Sequence, residues 1–468
     1  VSTLLARLDA LARTRVGWAV LSLLVLVPQA WFVLRLSYPG RANVDVAYQA
    51  RQALGEIPYT DWHPPVMSAL WELLIETTGD VGSLFVLQTG VLFGAVWLLS
   101  LVVHRRTGRR RWTWWALLLP MTPWVLGQSA VLFKDTQMAV ALLAGVALVL
   151  LVDHRRPVSL LLLVPALVLL VYATDVRKNA VLALVPLAGL IGWTVLRTLR
   201  PRRRPRWSGV AAAGLAALLV LGVASVALDR AVGSAKQVQS TGSVTQIMLD
   251  DVMFSVPDAE LQASDAPAAL KQRIAESRAR CYEMGEIWDS YFNCYGRGVG
   301  GEIFSPLEHQ EEIRRLWSDH VVTHPLRYLG YRAAVFSYYF FSSELEWWAY
   351  DWRGDAEDVG LGPQSRIADV TARYYVQDFA AESLPWLFKP WFWSVLGVVC
   401  VVLSRRAGPF RPAVLALALS ALCYVAGYLP TVPANHFRYT FWPAVAVTVA
   451  LGLLLAGRRT AAGEDPRS

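Results

Sequence analysis

The segment PPVMSALWELLIETT (64–78) is apolar enough to pass for a membrane crossing, and the topology of the whole chain turns on whether it is one. A crossing needs roughly 20 apolar residues, whereas this segment has fifteen and includes Glu72 and Glu76. It is therefore predicted to be a juxtamembrane helix on the outer surface, started by Pro64 and Pro65. Treating it as a crossing would also move RRTGRRR (105–111) to the opposite side from every other basic cluster. That would run against the tendency of Lys and Arg to stay on the cytoplasmic side.

The remaining chain fits an α-helical polytopic membrane protein. Its 468 residues are 55% hydrophobic and 17% charged, with mean hydropathy +0.38, a composition hard to hide from water in a soluble domain. Ten spans are predicted, near 16–36, 82–103, 112–127, 136–152, 157–173, 180–196, 208–228, 390–404, 412–430 and 440–456. With Arg7, Arg13 and Arg15 inside, RRTGRRR, Arg155-Arg156, RTLRPRRRPR (197–206), RRAGPFR (405–411) and Arg458-Arg459 all fall inside too. Three regions follow: an N-terminal transmembrane module (1–228) with a first outer loop at 37–81, an inserted extracytoplasmic domain (229–389), and a C-terminal transmembrane module with its tail (390–468). The net charge of +8 and pI near 9.4 then reflect membrane topology, and no nucleic-acid partner is expected. The first apolar run reads as a signal anchor, being too long for a cleavable signal and lacking a small-residue cleavage site. Only five of the 44 basic residues are lysines, and Val1 fits a GTG start; both suit a GC-rich bacterium of actinobacterial type, with the chain in its plasma membrane.

The inserted domain carries 24 acids against 15 Lys and Arg. Cys281 and Cys294 lie in it and suit a disulfide in an oxidising compartment, whereas Cys400 and Cys423 sit in apolar runs as small hydrophobes. The aromatics of SYYFFSSELEWWAYDW (337–352) suit either sugar rings or the lipid interface.

Four polar motifs interrupt the outer ends of spans: ANVDVAYQARQALGEIPYTDWHPP (42–65), LFKD (132–135), DVRKN (175–179) and NHFRY (435–439). Outer loops are usually poor in Lys and Arg, yet these keep Lys134, Arg177, Lys178 and Arg438. Such cations need a counter-charge, and the phosphate of a lipid-linked donor suits both charge and place. Transfer from that phosphate needs cations for the leaving group and a base for the incoming hydroxyl. Asp45 is the candidate base and Asp61 the second, with N-capping of the helix that follows as the alternative role for Asp45. Asp61, Trp62, His63, Asp135, His436 and Tyr439 are candidate substrate contacts. Asp135 could equally neutralise Lys134, and Arg177 and Lys178 could be helix-end anchors. No metal is expected, since no second His or Cys stands near His63. There is no Walker loop and no Rossmann glycine fingerprint in a strand-to-helix context, which argues against a nucleotide-sugar donor.

At these residues the sequence resembles the membrane-embedded GT-C glycosyltransferases, which include protein O-mannosyltransferases, lipid A aminoarabinose transferases and mycobacterial arabinofuranosyltransferases. The likeness lies in an acid soon after the first span, the DWHPP element (61–65) leading into a helix, and the Lys-Asp, Arg-Lys-Asn and Arg-Tyr pairs at later outer span ends. It implies a GT-C-like bundle, Asp45 as general base, and Lys134, Arg177, Lys178 and Arg438 on the donor phosphate. It also implies a polyprenyl-phosphate sugar donor, a cell-envelope glycan or glycolipid acceptor, and inversion at the anomeric carbon. The chain departs from the pattern in having a lone acid in Asn43-Val44-Asp45-Val46 and an inserted domain in place of a C-terminal one. The alternatives are a polymerase or ligase using a polyprenyl-diphosphate glycan, a lipid or solute transporter, and a non-catalytic scaffold. No internal repeat supports the transporter.

Overall fold

A computed structural model describes residues 11–108, 110–342, 353–362, 365–432 and 434–458. Arg7, Arg459 and the aromatic stretch from residue 343 to 352 lie outside the described residues. In chain order, α1 (Arg15–Ser37) leads through the short α2 (Val44–Ala53) and α3 (Pro65–Thr78) to α4 (Ser83–Thr107). Then come α5 (Arg110–Leu118), α6 (Pro123–Ser129), α7 (Lys134–Leu151), α8 (Leu163–Val176, preceded by a 3-10 turn from Pro157), α9 (Ala180–Leu199) and α10 (Trp207–Ala235). Shorter helices follow: α11 (Val244–Ser255), α12 (Ala268–Met284), α13 (Gln310–Leu316), α14 (Pro325–Phe341) and α15 (Arg366–Val370), the last continuing as a π-type coil to Glu382. The last helices are α16 (Pro390–Leu403), α17 (Arg411–Ala426) and α18 (Phe441–Gly457). No strand occurs among the described residues, only isolated bridges of Arg41 with Val131 and Thr60 with Gln239.

Among the described residues, eight helical stretches are long and apolar enough to cross a membrane, those built on α1, α4, α7, α8, α9, α10, α17 and α18. Two of the ten expected stretches fall short of that length. Over 112–127, Pro120 and Pro123 remove backbone donors, and a 3-10 turn (Leu119–Met121) separates α5 from α6. Over 390–404, α16 stops after 14 residues and gives way to another 3-10 turn (Ser404–Arg406).

The 64–78 segment folds as α3, with Pro65 at its first position and Gly79 (φ 72°) closing it in the left-handed conformation. Met67 and Trp71 are fully buried while Leu73 is exposed. Glu72 pairs with Lys236 just past α10 at 2.7 Å and accepts from the Tyr59 hydroxyl. This side-on packing and the protein partners of its acid account for a helix too short and too charged to cross.

The most buried of the long helices are α7 and α18, 83% and 89% enclosed over their apolar windows. Arg105 and Arg106 donate to the carbonyls of Leu151 and Leu150, satisfying the last turn of α7. Lys134 starts the same helix, so that basic cluster and Lys134 lie at opposite ends of it. A second core, with Leu249, Met253, Ile274, Tyr291 and Ile313, belongs to the inserted segment. The Cys281–Cys294 disulfide (Cα–Cα 5.5 Å) lies in this core.

Candidate active site

The site begins with how α2 starts. Asn43 is its N-cap, accepting from the Val46 amide at 3.1 Å, so Asp45 is not the cap and its carboxylate is turned to other partners. One carboxylate oxygen accepts from Arg438 Nη1. The other lies 3.8 Å from His63 Nε2. His63 Nδ1 is 2.8 Å from Lys134 Nζ. Arg438, Asp45, His63 and Lys134 thus form one line of polar groups drawn from segments almost 400 residues apart in sequence.

Each member stands at or just before the start of a helix. Asp45 is second in α2, His63 precedes Pro64 and α3, Lys134 opens α7, and Arg438 lies in the 3-10 turn (Phe437–Thr440) leading into α18. Helix starts carry partial positive charge, so backbone and side chains both make this a cationic place. Burial alone would push the Asp45 carboxyl up, but the charges of Arg438 and Lys134 outweigh it and hold it well below the usual carboxylate range. Burial, then the charge of Lys134, push His63 well below 6.5 against the opposing pull of Asp45. Both effects favour the neutral imidazole.

Beneath this line is a second tier. Asp135, fully buried, pairs with Arg177 Nε at 3.0 Å and not with Lys134. Arg177 Nη2 also donates to the Tyr428 hydroxyl at 3.1 Å. The guanidiniums of Arg177 and Arg438 each lie 5.1 Å from the Tyr439 ring centroid, and Arg438 donates to the Tyr439 hydroxyl at 3.0 Å. Phe133 gives Arg438 a further aromatic face at 5.1 Å. His436 is buried edge-on to Tyr439. Sequence reasoning missed Tyr428, which has no polar neighbour in sequence, and Phe133, whose only signal was its place beside Lys134.

Other expected site residues have structural partners. Lys178 pairs with Asp175 at 3.3 Å and Asp229 at 2.9 Å, so it is drawn toward α10 and away from this line. Asp61 accepts from the Thr241 amide and hydroxyl, both at 2.6 Å, and from Ser240 at 2.9 Å. Trp62 packs on Tyr291 and Phe304 in the second core. These two residues fasten the first loop to the inserted segment. Phe304 has a left-handed backbone (φ 61°), uncommon for a bulky residue, and its ring centroid lies 4.8 Å from that of His63. Among the described residues, no three His, Cys, Asp or Glu side chains gather to hold a metal.

An apolar cavity of about 330 Å³ opens between α5, α6, α16 and α18, lined by Trp115, Leu119, Trp124, Phe392, Trp393 and Leu451 among others. A hydrocarbon chain suits such walls. The chain matches no family model, no curated protein and no solved structure.

Proposed function

We propose that the chain is a membrane glycosyltransferase of GT-C type, moving one sugar from a polyprenyl-phosphate donor to a glycan or glycolipid of the bacterial cell envelope. In this reading it crosses the plasma membrane ten times, counting the broken α5–α6 pair and α16 as crossings. The Asp45 end faces outward because the arginine clusters keep the opposite end inside. The observation that carries the reading is Lys134. Its ammonium touches a neutral imidazole and, among the described residues, no carboxylate. The helix it opens has Phe133 as N-cap, which supplies no side-chain acceptor. A half-buried cation at an uncapped helix start is a place for an anion. The apolar cavity gives the lipid part of such a donor a setting.

The chemistry is a single displacement. Asp45 takes the acceptor hydroxyl's proton, the oxygen bonds to the anomeric carbon, and the carbon–oxygen bond to phosphate breaks with its electron pair leaving on the phosphate. Lys134 and Arg438 stabilise that charge, so no general acid is needed. The test is the purified full chain in vesicles with synthetic polyprenyl-phosphate pentose and hexose donors, assayed for release of lipid monophosphate. Asp45→Asn is expected to lower turnover by roughly a hundredfold or more. Unchanged turnover in that variant would sink the assignment of the base. Activity only with diphosphate-linked glycans would replace the single-sugar donor by a polymerase or ligase substrate.

A further inference from the structure

The end of the bundle away from Asp45 carries its own surplus of charge. His154, just past the end of α7 opposite Lys134, has its Nδ1 3.1 Å from the Thr198 hydroxyl near the end of α9. The loops after α7 and α9 therefore sit side by side. The second of them is RTLRPRRRPR (197–206). Arg197 turns back to donate to the carbonyls of Pro201 at 2.7 Å and Arg203 at 3.4 Å, which closes this loop into a turn. The turn stands on a close-packed pair, since a Cβ on Gly192 of α9 would come within 2.6 Å of the Gly214 amide nitrogen of α10.

Arg200, Arg202, Arg203, Arg204 and Arg206 are left exposed around the turn, and among the described residues none of them has a carboxylate partner. Arg155 and Arg156 in the neighbouring loop are exposed as well. Asp153 is the one acid in the two loops, and it accepts from the Arg155 amide at 3.1 Å. Like charges this crowded repel unless an anion lies among them. Neither these loops nor the clusters at 105–111 and 405–411 contain a lysine, and Lys134, Lys178, Lys236, Lys271 and Lys389 all stand elsewhere in the chain. Membrane topology would be served by either residue, whereas the planar fork that takes phosphate oxygens two at a time belongs to arginine.

The surroundings indicate what carries the phosphate. Leu199 and Trp207 bracket the turn and are 59% and 71% exposed, and Val158 and Leu161 just beyond Arg156 face outward too. The helix that Trp207 opens, α10, is only 17% enclosed over its apolar window, so it presents most of its surface to lipid. Guanidiniums bordered by outward apolar side chains and an indole stand at the level where lipid headgroups give way to acyl chains. We propose that the loops at 153–156 and 197–206 hold the headgroup of an anionic phospholipid, with its phosphate on the arginine forks and its acyl chains along Leu199 and Trp207. The site is separate from the transfer chemistry and does not depend on it.

The test uses the full-length protein in bilayer discs of phosphatidylcholine, titrated with fluorescent phosphatidylglycerol or with phosphatidylcholine bearing the same label. The unaltered protein is expected to hold phosphatidylglycerol about tenfold more tightly, with the preference shrinking as salt is added. Combining Arg202→Gln, Arg203→Gln and Arg204→Gln is expected to bring the two lipids to within about twofold of each other. Combining Arg405→Gln, Arg406→Gln and Arg411→Gln is expected to leave the preference in place, and equal losses in the two triple variants would show a diffuse field and overturn the site. Lysines at 202, 203 and 204 keep the charge that sets orientation, and that variant is expected to insert normally yet to bind about threefold more weakly. Binding by the lysine variant as tight as in the unaltered protein would overturn the role of the forks. Glycerophosphoglycerol, the same headgroup without acyl chains, is expected not to displace the lipid; displacement by an equal concentration would make this a site for free phosphate esters and overturn the proposal. No preference for phosphatidylglycerol in the unaltered protein would overturn it outright.

Discussion

Two buried clusters of acids and cations differ in a way that separates structural charge from functional charge. In the inserted segment, Asp251 and Arg332 pair at 2.7 Å, each 2% exposed. Trp317 donates to Asp251 at 2.8 Å, while Ser290 donates to Asp250 from its amide and its hydroxyl. Acids outnumber cations there two to one, and burial raises both carboxyls. At the end of the bundle the balance is reversed: Lys134 and Arg438 gather near Asp45, whose carboxyl is lowered. A cluster with surplus acid can neutralise itself by holding a proton. A cluster with surplus cation can lose a proton from its lysine or take an anion from outside, and the second is the reading proposed above.

The comparison breaks if the two cations behave alike when removed. Arg332→Met leaves Asp251 buried without its partner and is expected to destabilise the protein by about 3–5 kcal/mol, read as a fall in the denaturation midpoint. Lys134→Met strands no carboxylate but leaves the buried His63 Nδ1 without its partner, so it is expected to cost about 1–3 kcal/mol and to abolish saturable binding of polyprenyl monophosphate. Equal stability losses in the two variants would remove the distinction.

Next in size is the pH dependence of the acid-rich cluster. Burial lifts Asp250 from 3.8 to about 6, against the hydrogen bonds from Ser290 and the charge of Arg332 and with the help of Asp251. The folded state then binds its proton more tightly than the unfolded chain, so stability falls as pH rises from 3.8 through 6 and levels off above. At about 1.36 kcal/mol per pH unit, the loss is on the order of 3 kcal/mol. Asp250→Asn keeps an acceptor for Ser290 and is expected to flatten that slope in denaturation midpoints taken at several pH values. A slope unchanged in the variant would show that another group carries it.

These clusters also mark where sequence was readable. The shortness and charge of 64–78 identify α3 as no crossing, because length and the cost of burying Glu72 are properties of the segment itself. The gathering of Asp45, Lys134 and Arg438 was legible for a similar reason, since each is a charged residue beside an apolar run. The break between α5 and α6 was spelled by Pro120 and Pro123, but hydropathy averages over prolines. The partners of Asp61 and Trp62 were not legible at all. They come from Ser240, Thr241, Tyr291 and Phe304, some 180 to 240 residues away, and nothing in a loop motif shows which surface will fold onto it. The same limit hid the pairing of Asp135 with Arg177 rather than with its neighbour Lys134.

The smallest expected effect concerns Lys178, which in sequence stands beside Arg177 as an equal candidate for the donor phosphate. Its side chain is 49% exposed, and its ammonium lies between Asp175 and Asp229. Both carboxylates already compensate its charge, and with half its surface in solvent the pairs contribute little to stability, about 0–1 kcal/mol. Lys178→Ala is accordingly expected to leave donor KM and kcat within about twofold of the unaltered protein, while Arg177→Ala, by stranding the fully buried Asp135, disturbs the ground beneath Tyr439 and Arg438. A loss in Lys178→Ala as large as that in Lys134→Met would mean that surplus charge, counted from partners, fails to tell a phosphate ligand from an anchor.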